Sequence, residues 1–349
     1  MKTIRDFNPK DKIILVRTDF NVPLKNGKVE DDFRIRASLP TIQYLLENGA
    51  KRIVLISHLG RPEGKMDLKF SLSPVADTLR KLLPEQKVAF YPLPKKDEDI
   101  LNYSDCNIIL LENLRFDPGE EVNSEDFIKQ IIDATHADAF VQDGFAVTHR
   151  AHASTDAIAK FLPTYAGLLV EKEIENLTKV LQNPTKPLLL IIGGAKVDDK
   201  QPLIEKFSSL ADHIAVGGKI AADGYASKNP KIYVAEDFDE NGAGEKLDIG
   251  PVSTTKIADF IKDAKTIIWN GLLGYAEDPA YATASTIVAE LMGEKTDATT
   301  IVCGGDTTGF VQSLLEDHPN LQYSLISTGG GAALEFLLNP DLPGLKVIK

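Results

Sequence analysis

Two cysteines are all this chain has, Cys106 and Cys303, far apart and without the spacing of a ligand pair. They exclude a disulfide framework and fit a reducing compartment. No apolar run approaches the ~20 residues a bilayer-spanning helix needs. The start, Met1-Lys2-Thr3-Ile4-Arg5-Asp6, lacks a secretory apolar core. Cytoplasmic placement with no membrane partner is the expectation. Positive charge is also short: 39 Lys and Arg face 51 Asp and Glu, a net charge of −12. That balance argues against a nucleic-acid partner.

Arginine is missing from the last 199 residues. All nine (Arg5, Arg17, Arg34, Arg36, Arg52, Arg61, Arg80, Arg115 and Arg150) fall in the first 150, while 17 of the 30 lysines come later. Glycine is skewed the other way, with 18 of 25 after position 183. Guanidinium groups grip carboxylate and phosphate through paired donors. Glycine lets backbone N–H groups come close to a phosphate chain. The split points to a small anion held in one half and a nucleotide in the other. Familiar nucleotide motifs are absent too. There is no G-x-G-x-x-G for a nicotinamide dehydrogenase, and Gly218-Lys219 is followed by Ile220 rather than Ser or Thr.

At this length two domains are expected. Short Ile/Val/Leu runs alternate with helical periodicity, the pattern of parallel βαβ units. Strands are predicted at 13–16, 53–56, 108–111 and 137–141, then at 188–192, 214–216, 232–234, 267–269, 301–303 and 324–326. Helices are predicted at 40–47, 75–83, 198–209, 254–262, 282–292, 308–315 and 332–338. Residues 167–181 read as an amphipathic helix that carries the domain boundary. The predicted fold is α/β, two doubly wound parallel-sheet domains joined by that helix.

Ligands of such sheets bind beyond the carboxyl ends of the strands, and the unusual residues sit there. The first half delivers Arg17-Thr18-Asp19-Phe20-Asn21, Ser57-His58-Leu59-Gly60-Arg61, Asn113-Leu114-Arg115 and His149-Arg150. Together they make a basic rim for a small anion. The second half delivers Gly193-Gly194-Ala195-Lys196, Gly217-Gly218-Lys219, Asn270-Gly271, Gly304-Gly305-Asp306-Thr307 and Gly329-Gly330-Gly331. Backbone donors and helix N-termini in that number suit polyphosphate.

These segments, with Val22-Pro23, Pro62, His152, Asp248-Ile249-Gly250-Pro251 and Trp269, resemble phosphoglycerate kinase, and the resemblance runs from Val16 to Gly344. It implies reversible Mg²⁺-dependent transfer of the acyl phosphate of 1,3-bisphosphoglycerate to ADP, giving 3-phosphoglycerate and ATP. It implies residues 1–166, joined by 333–349, as the phosphoglycerate domain, 167–183 as the interdomain helix, and 184–332 as the nucleotide domain. It also implies a monomer whose domains close on each other.

By resemblance, Arg34 and Lys196 are catalytic. Asp19, Phe20, Asn21, Arg34, His58, Leu59, Gly60, Arg61, Arg115 and Arg150 hold the phosphoglycerate. Gly194, Lys196, Lys200, Gly217, Gly218, Asn270, Gly304, Gly305 and Thr307 hold the nucleotide, with Glu277 on the ribose and Asp306 on the metal. The helix start at Gly329, Gly330 and Gly331 is a further phosphate site. Arg36 is expected in solvent, and Arg5, Arg52 and Arg80 in surface ion pairs. His149 and His152 are expected to make hydrogen bonds rather than hold a metal.

The chain departs from the family in places. A few tens of residues are missing between Gly218 and Ile249, so part of the adenine wall is absent or rebuilt. Leu272 and Leu273 stand where proline is usual, and Cys303 replaces a glycine. Gln142, Gly144, Ala146 and Val147 alter the segment before His149. The residues carrying charge are kept, which favours an active enzyme over a binding protein that has lost turnover.

Overall fold

Strands apolar at every position need cover on both faces, and the two central runs of this chain, 13–17 and 188–192, are buried throughout. The structure, a computed structural model, describes residues 1–96, 98–100 and 106–348. It divides into two units, Met1–Lys172 with Asp341–Lys349, and Glu173–Pro340.

The first unit opens with β1 (Ile13–Arg17), the hairpin β2 (Leu24–Lys25) and β3 (Lys28–Val29), α1 (Phe33–Glu47) and β4 (Arg52–Ile56). It continues with α2 (Ser73–Leu82), β5 (Val88–Tyr91), β6 (Ile108–Leu111), α3 (Glu125–Thr135), β7 (Ala139–Gln142) and β8 (Thr164–Ala166). Its parallel sheet has the order β5-β6-β4-β1-β7-β8. Alternate residues feed two cores, as the strand period requires. Ile14, Val16, Ile53 and Leu55 pack on one side, and Ile13, Leu15, Val54 and Ile56 on the other. The sheet reverses direction of growth at β1, between β4 and β7. Arg17 lies level with Ile56 and Gln142 there, so the loops that follow open on one rim.

α4 (Leu168–Gln182) crosses the division between the units, and the second unit continues with β9 (Leu188–Ile192), α5 (Val197–Leu210), β10 (His213–Val216), α6 (Gly218–Ala222) and β11 (Ile232–Val234). A hairpin follows, β12 (Phe238–Glu240) and β13 (Lys246–Ile249), then α7 (Pro251–Asp263), β14 (Thr266–Asn270), α8 (Thr283–Glu294), β15 (Thr299–Cys303), α9 (Gly305–Asp317), β16 (Leu325–Ile326) and α10 (Gly331–Leu338). The order β11-β10-β9-β14-β15-β16 is again parallel and reverses between β9 and β14. α10 packs on α5, where Lys206 donates to the Leu338 carbonyl at 2.9 Å. The last helix, α11 (Pro343–Lys346), belongs to the first unit, with Gly344 N–H bonded to the Thr148 carbonyl at 2.8 Å.

Some elements escaped the sequence reading. α1 begins at Phe33, not Pro40; Pro40 lies inside it. Ile35, Ser38, Thr41, Ile42 and Leu45 form one continuous buried stripe, and its packing carries the helix through Pro40. The longer helix places Arg34 in its first turn. The edge strands β5 and β8 and both hairpins were also unforeseen.

Candidate functional site

The loop after β1 is folded back by its own polar atoms. Asp19, 3% exposed, accepts a hydrogen bond from Arg34 Nη1 at 2.5 Å and from the Asn21 N–H at 3.2 Å. Asn21 Oδ1 in turn accepts from the Gly60 N–H at 2.8 Å, joining this loop to the one after β4. Gly60 has φ +61°, and a Cβ there would lie 2.4 Å from the Phe70 ring, so only glycine fits this turn without strain. Arg115 donates to the Gly60 carbonyl at 2.7 Å. Its Nε is 3.2 Å from Glu121 Oε1, a charge contact without hydrogen-bond alignment. Arg61 is exposed and Arg150 half-buried, its Nε 3.1 Å from His149 Nε2. Phe20 and Leu59 are buried in the core, so their contribution to the rim is backbone.

Positive charge is concentrated here beyond what the local carboxylates balance. Burial holds His58 neutral well below the ordinary histidine range, and the charges of Arg17, Arg115 and Arg34 add to that. His152 is lowered to about 4 by burial, then by Arg115, Arg17 and Arg150. Arg115 itself falls to about 10, mainly through burial. Arg17 is fully buried, donating to Ser154 Oγ at 2.8 Å and standing 3.9 Å from Glu120. Burial pushes the Glu120 carboxyl upward. Arg17 therefore sets the field beneath the rim rather than lining it, a role that motif spacing did not reveal.

The second unit carries a cavity of about 1290 Å³ at the carboxyl ends of its strands. The loops after β9 and β14 cross tightly at its floor. Gly194 N–H donates to the Leu272 carbonyl at 2.8 Å, and a Cβ on Gly271 (φ +98°) would sit 2.1 Å from the Gly193 oxygen. Of the predicted residues, Gly194, Lys196, Lys200, Glu277, Gly304, Gly305, Asp306 and Thr307 line the cavity. Lys200 donates to the Asn270 side chain, and burial lowers its pKa. Thr307 Oγ1 accepts from the Gly271 N–H at 2.8 Å, tying the start of α9 to β14. Gly304, Gly305 and Asp306 present that helix start, an electropositive end suited to phosphate. Asn270 and Gly218 are buried beneath, and Gly217 packs against Leu273. Gly329, Gly330 and Gly331 start α10 and do not line the cavity.

Lys219 lines the cavity as the end of the Gly217-Gly218-Lys219 segment, and among the lining residues that were not anticipated are Lys246 and Tyr275. Tyr275 sits two residues before predicted Glu277, a proximity that motif matching ignores. Arg52 corrects another expectation. It is 6% exposed and donates to the Cys106 carbonyl at 3.2 Å, because it starts a central strand. Arg5 and Arg80 do make surface ion pairs, with Glu171 and Asp77, and exposed Arg36 pairs with Asp32. Of the departures, Leu273 and Cys303 are buried in the core.

The sequence profile of the family described as "Phosphoglycerate kinase" matches residues 4–233 and 223–339. The chain belongs to the phosphoglycerate kinase family. Among its relatives, the phosphoglycerate kinases of Borreliella afzelii and Dictyoglomus turgidum are each 39% identical, covering at least 99% of this chain and 98% of their own. The solved phosphoglycerate kinase of Coxiella burnetii superposes with a TM-score of 0.80 at 33% identity, covering 99% of this chain and 98% of its own. That of Pyrococcus horikoshii gives 0.85 at 26%, covering 100% and 98%. Like its relatives, this phosphoglycerate kinase is an ATP-binding phosphotransferase of glycolysis.

The chain is the shorter molecule. Its alignment with the Borreliella enzyme spans 398 positions against 349 residues, and the two profile matches overlap at 223–233, from the end of α6 into β11. Among the described residues no helix is long and apolar enough to cross a membrane.

Proposed function

We propose that the first unit binds 3-phosphoglycerate and 1,3-bisphosphoglycerate at the rim built on β1, and that the cavity of the second binds ADP and ATP. The observation that carries this is the knot of Arg17, Arg34 and Arg115 around a neutral His58, in a chain of net charge −12. Guanidinium groups crowded at the cost of their own desolvation favour a bound anion. Arg61, Arg115, Arg150 and His58 take phosphate and carboxylate, while Asp19 and Asn21 take the glycerate hydroxyl. Arg34 and Lys196 neutralise the moving phosphoryl group, and Lys200 with the α9 start holds nucleotide phosphates. In-line transfer asks the protein for positioning and for charge on both sides of that group.

Magnesium enters with the nucleotide. Among the described residues no group of three or more His, Cys, Asp or Glu could cage a metal. Asp306 is an exposed carboxylate in the first turn of α9. One carboxylate plus phosphate oxygens is the arrangement Mg²⁺ favours. Such an ion would draw charge from the phosphates. We place the enzyme in the cytoplasm as a monomer.

A coupled assay of ATP consumption with 3-phosphoglycerate and Mg²⁺ tests the reading. Arg34→Ala and Lys196→Ala should each cost ~10²–10³ in turnover while keeping the circular dichroism of the folded chain. Near-normal turnover in either would overturn its assignment.

A further inference from the structure

Resting on the assignment of the cavity to nucleotide, we propose that Tyr275 is the platform on which the base stacks, replacing wall lost with the shortened segment. α6 is only five residues long, and among the described residues no helix follows before β11. The cavity exceeds the ~300–1,000 Å³ common for small-molecule sites, which is what a missing wall would leave.

Phosphate-binding groups occupy one end. The loop after β14 leads away from them, from Gly271 beside Thr307 to Tyr275, whose N–H donates to the Leu247 carbonyl on β13 at 2.7 Å. Of the large apolar side chains that stand exposed among the described residues, Tyr275 alone lines the cavity, at 51% exposure. Glu277, the residue assigned to the ribose, lines the cavity two positions further along the same loop, and its charge raises the Tyr275 phenol. A tyrosine has only two side-chain torsions, so it loses little freedom when a base covers its face. Base and sugar would thus be received by two neighbouring side chains of one loop.

Stacking reads a π face rather than an edge pattern. ATP and GTP should therefore be used with comparable kcat/KM, and CTP more weakly. The test compares wild type, Tyr275→Ala and Tyr275→Phe, using inorganic tripolyphosphate as a competitor without a base. We expect Tyr275→Ala to raise KM for ATP roughly tenfold and to lower the ATP:CTP preference. Its KM for 3-phosphoglycerate and its inhibition by tripolyphosphate should stay as in wild type. Tyr275→Phe keeps the ring and should recover most of the ATP affinity. An unchanged KM for ATP in Tyr275→Ala, or equal weakening of tripolyphosphate, would overturn the platform while leaving the kinase reading intact. Absence of turnover in the wild type would sink that reading instead. Calorimetric titration of the three proteins with ADP and tripolyphosphate would then decide the platform by the same comparison.

Discussion

Asp19 and Arg34 form a short, half-enclosed ion pair, the carboxylate 3% and the guanidinium 28% exposed at 2.5 Å. The pair joins the loop after β1 to the first turn of α1, and the Asn21 carbonyl takes a second contact from Arg34 Nη1 at 3.3 Å. If Asp19 acts partly by aiming Arg34, the two substitutions will not add. We expect Asp19→Ala to cost about tenfold in kcat and Arg34→Ala ~10²–10³. The double variant should fall close to Arg34→Ala alone. A further full tenfold loss in the double variant would mean that Asp19 contributes only through its own contact with substrate.

Cys303 ends β15 with no exposed surface, and burial, with the Glu173 charge adding to it, pushes its thiol up to about 12. At pH 8 its thiolate is about one part in ten thousand by that value, and thiolate is the reactive form. Iodoacetamide at pH 8 should therefore label half-buried Cys106 in the native protein and leave Cys303 untouched until denaturant is added. Mass spectrometry of the labelled peptides reads this directly. Native labelling of Cys303 at the rate of Cys106 would refute its enclosure.

Most of the architecture was legible because parallel strands buried on both faces are written as unbroken apolar runs. The central strands carry that signature at 13–16, 53–56, 188–192 and 267–269. Edge strands were read unevenly: β11 and β16 were foreseen from their apolar residues, whereas β5 and the three-residue β8 were not. Charged residues at strand ends were legible as a rim, but their burial was not. Arg17 and Arg61 look alike in sequence, each just after or at the end of an apolar run, yet one is enclosed against Glu120 and Ser154 and the other exposed. The difference lies in residues more than a hundred positions away. Tyr275 escaped although it stands two residues before Glu277, because the sequence does not say that its ring faces a cavity rather than the core.

The histidines of the basic rim make the fold sensitive to acid. His152 is held at about 4 and His58 lower than its ordinary value, so between these values and ~6.5 the unfolded chain binds protons that the folded one refuses. Stability from these groups is present above ~6.5 and declines as pH falls towards 4. Urea midpoints should drop between pH 7 and 5, and His152→Gln should make that drop shallower. An identical slope in the variant would show that His152 takes up its proton without resistance.

Asp143 carries the opposite sign. It is fully buried at the end of β7, where Oδ1 accepts from Thr41 Oγ1 at 2.8 Å and from the Leu169 N–H at 3.1 Å, while Oδ2 has no partner. Thr41 Oγ1 also accepts from the Leu168 N–H at 2.9 Å, so α1 and the first turn of α4 are fastened through one carboxyl. Burial raises that carboxyl to about 8, against 3.8 when solvated. The folded chain then keeps a proton that the unfolded chain has lost, and its advantage is largest below ~4 and is lost as pH rises to 8. Above that, folding must enclose a charge with one oxygen unsatisfied, a costly state. Asp143→Asn keeps an acceptor for Thr41 and Leu169 and carries no charge at any pH. We expect its urea midpoint to come closest to the wild type near pH 4 and to gain on it steadily up to pH 8, because only the wild type loses stability there through its raised carboxyl. A variant less stable than wild type at pH 9 would mean that the carboxylate is well solvated or paired in the folded chain, and that α4 begins on a charge rather than on a proton.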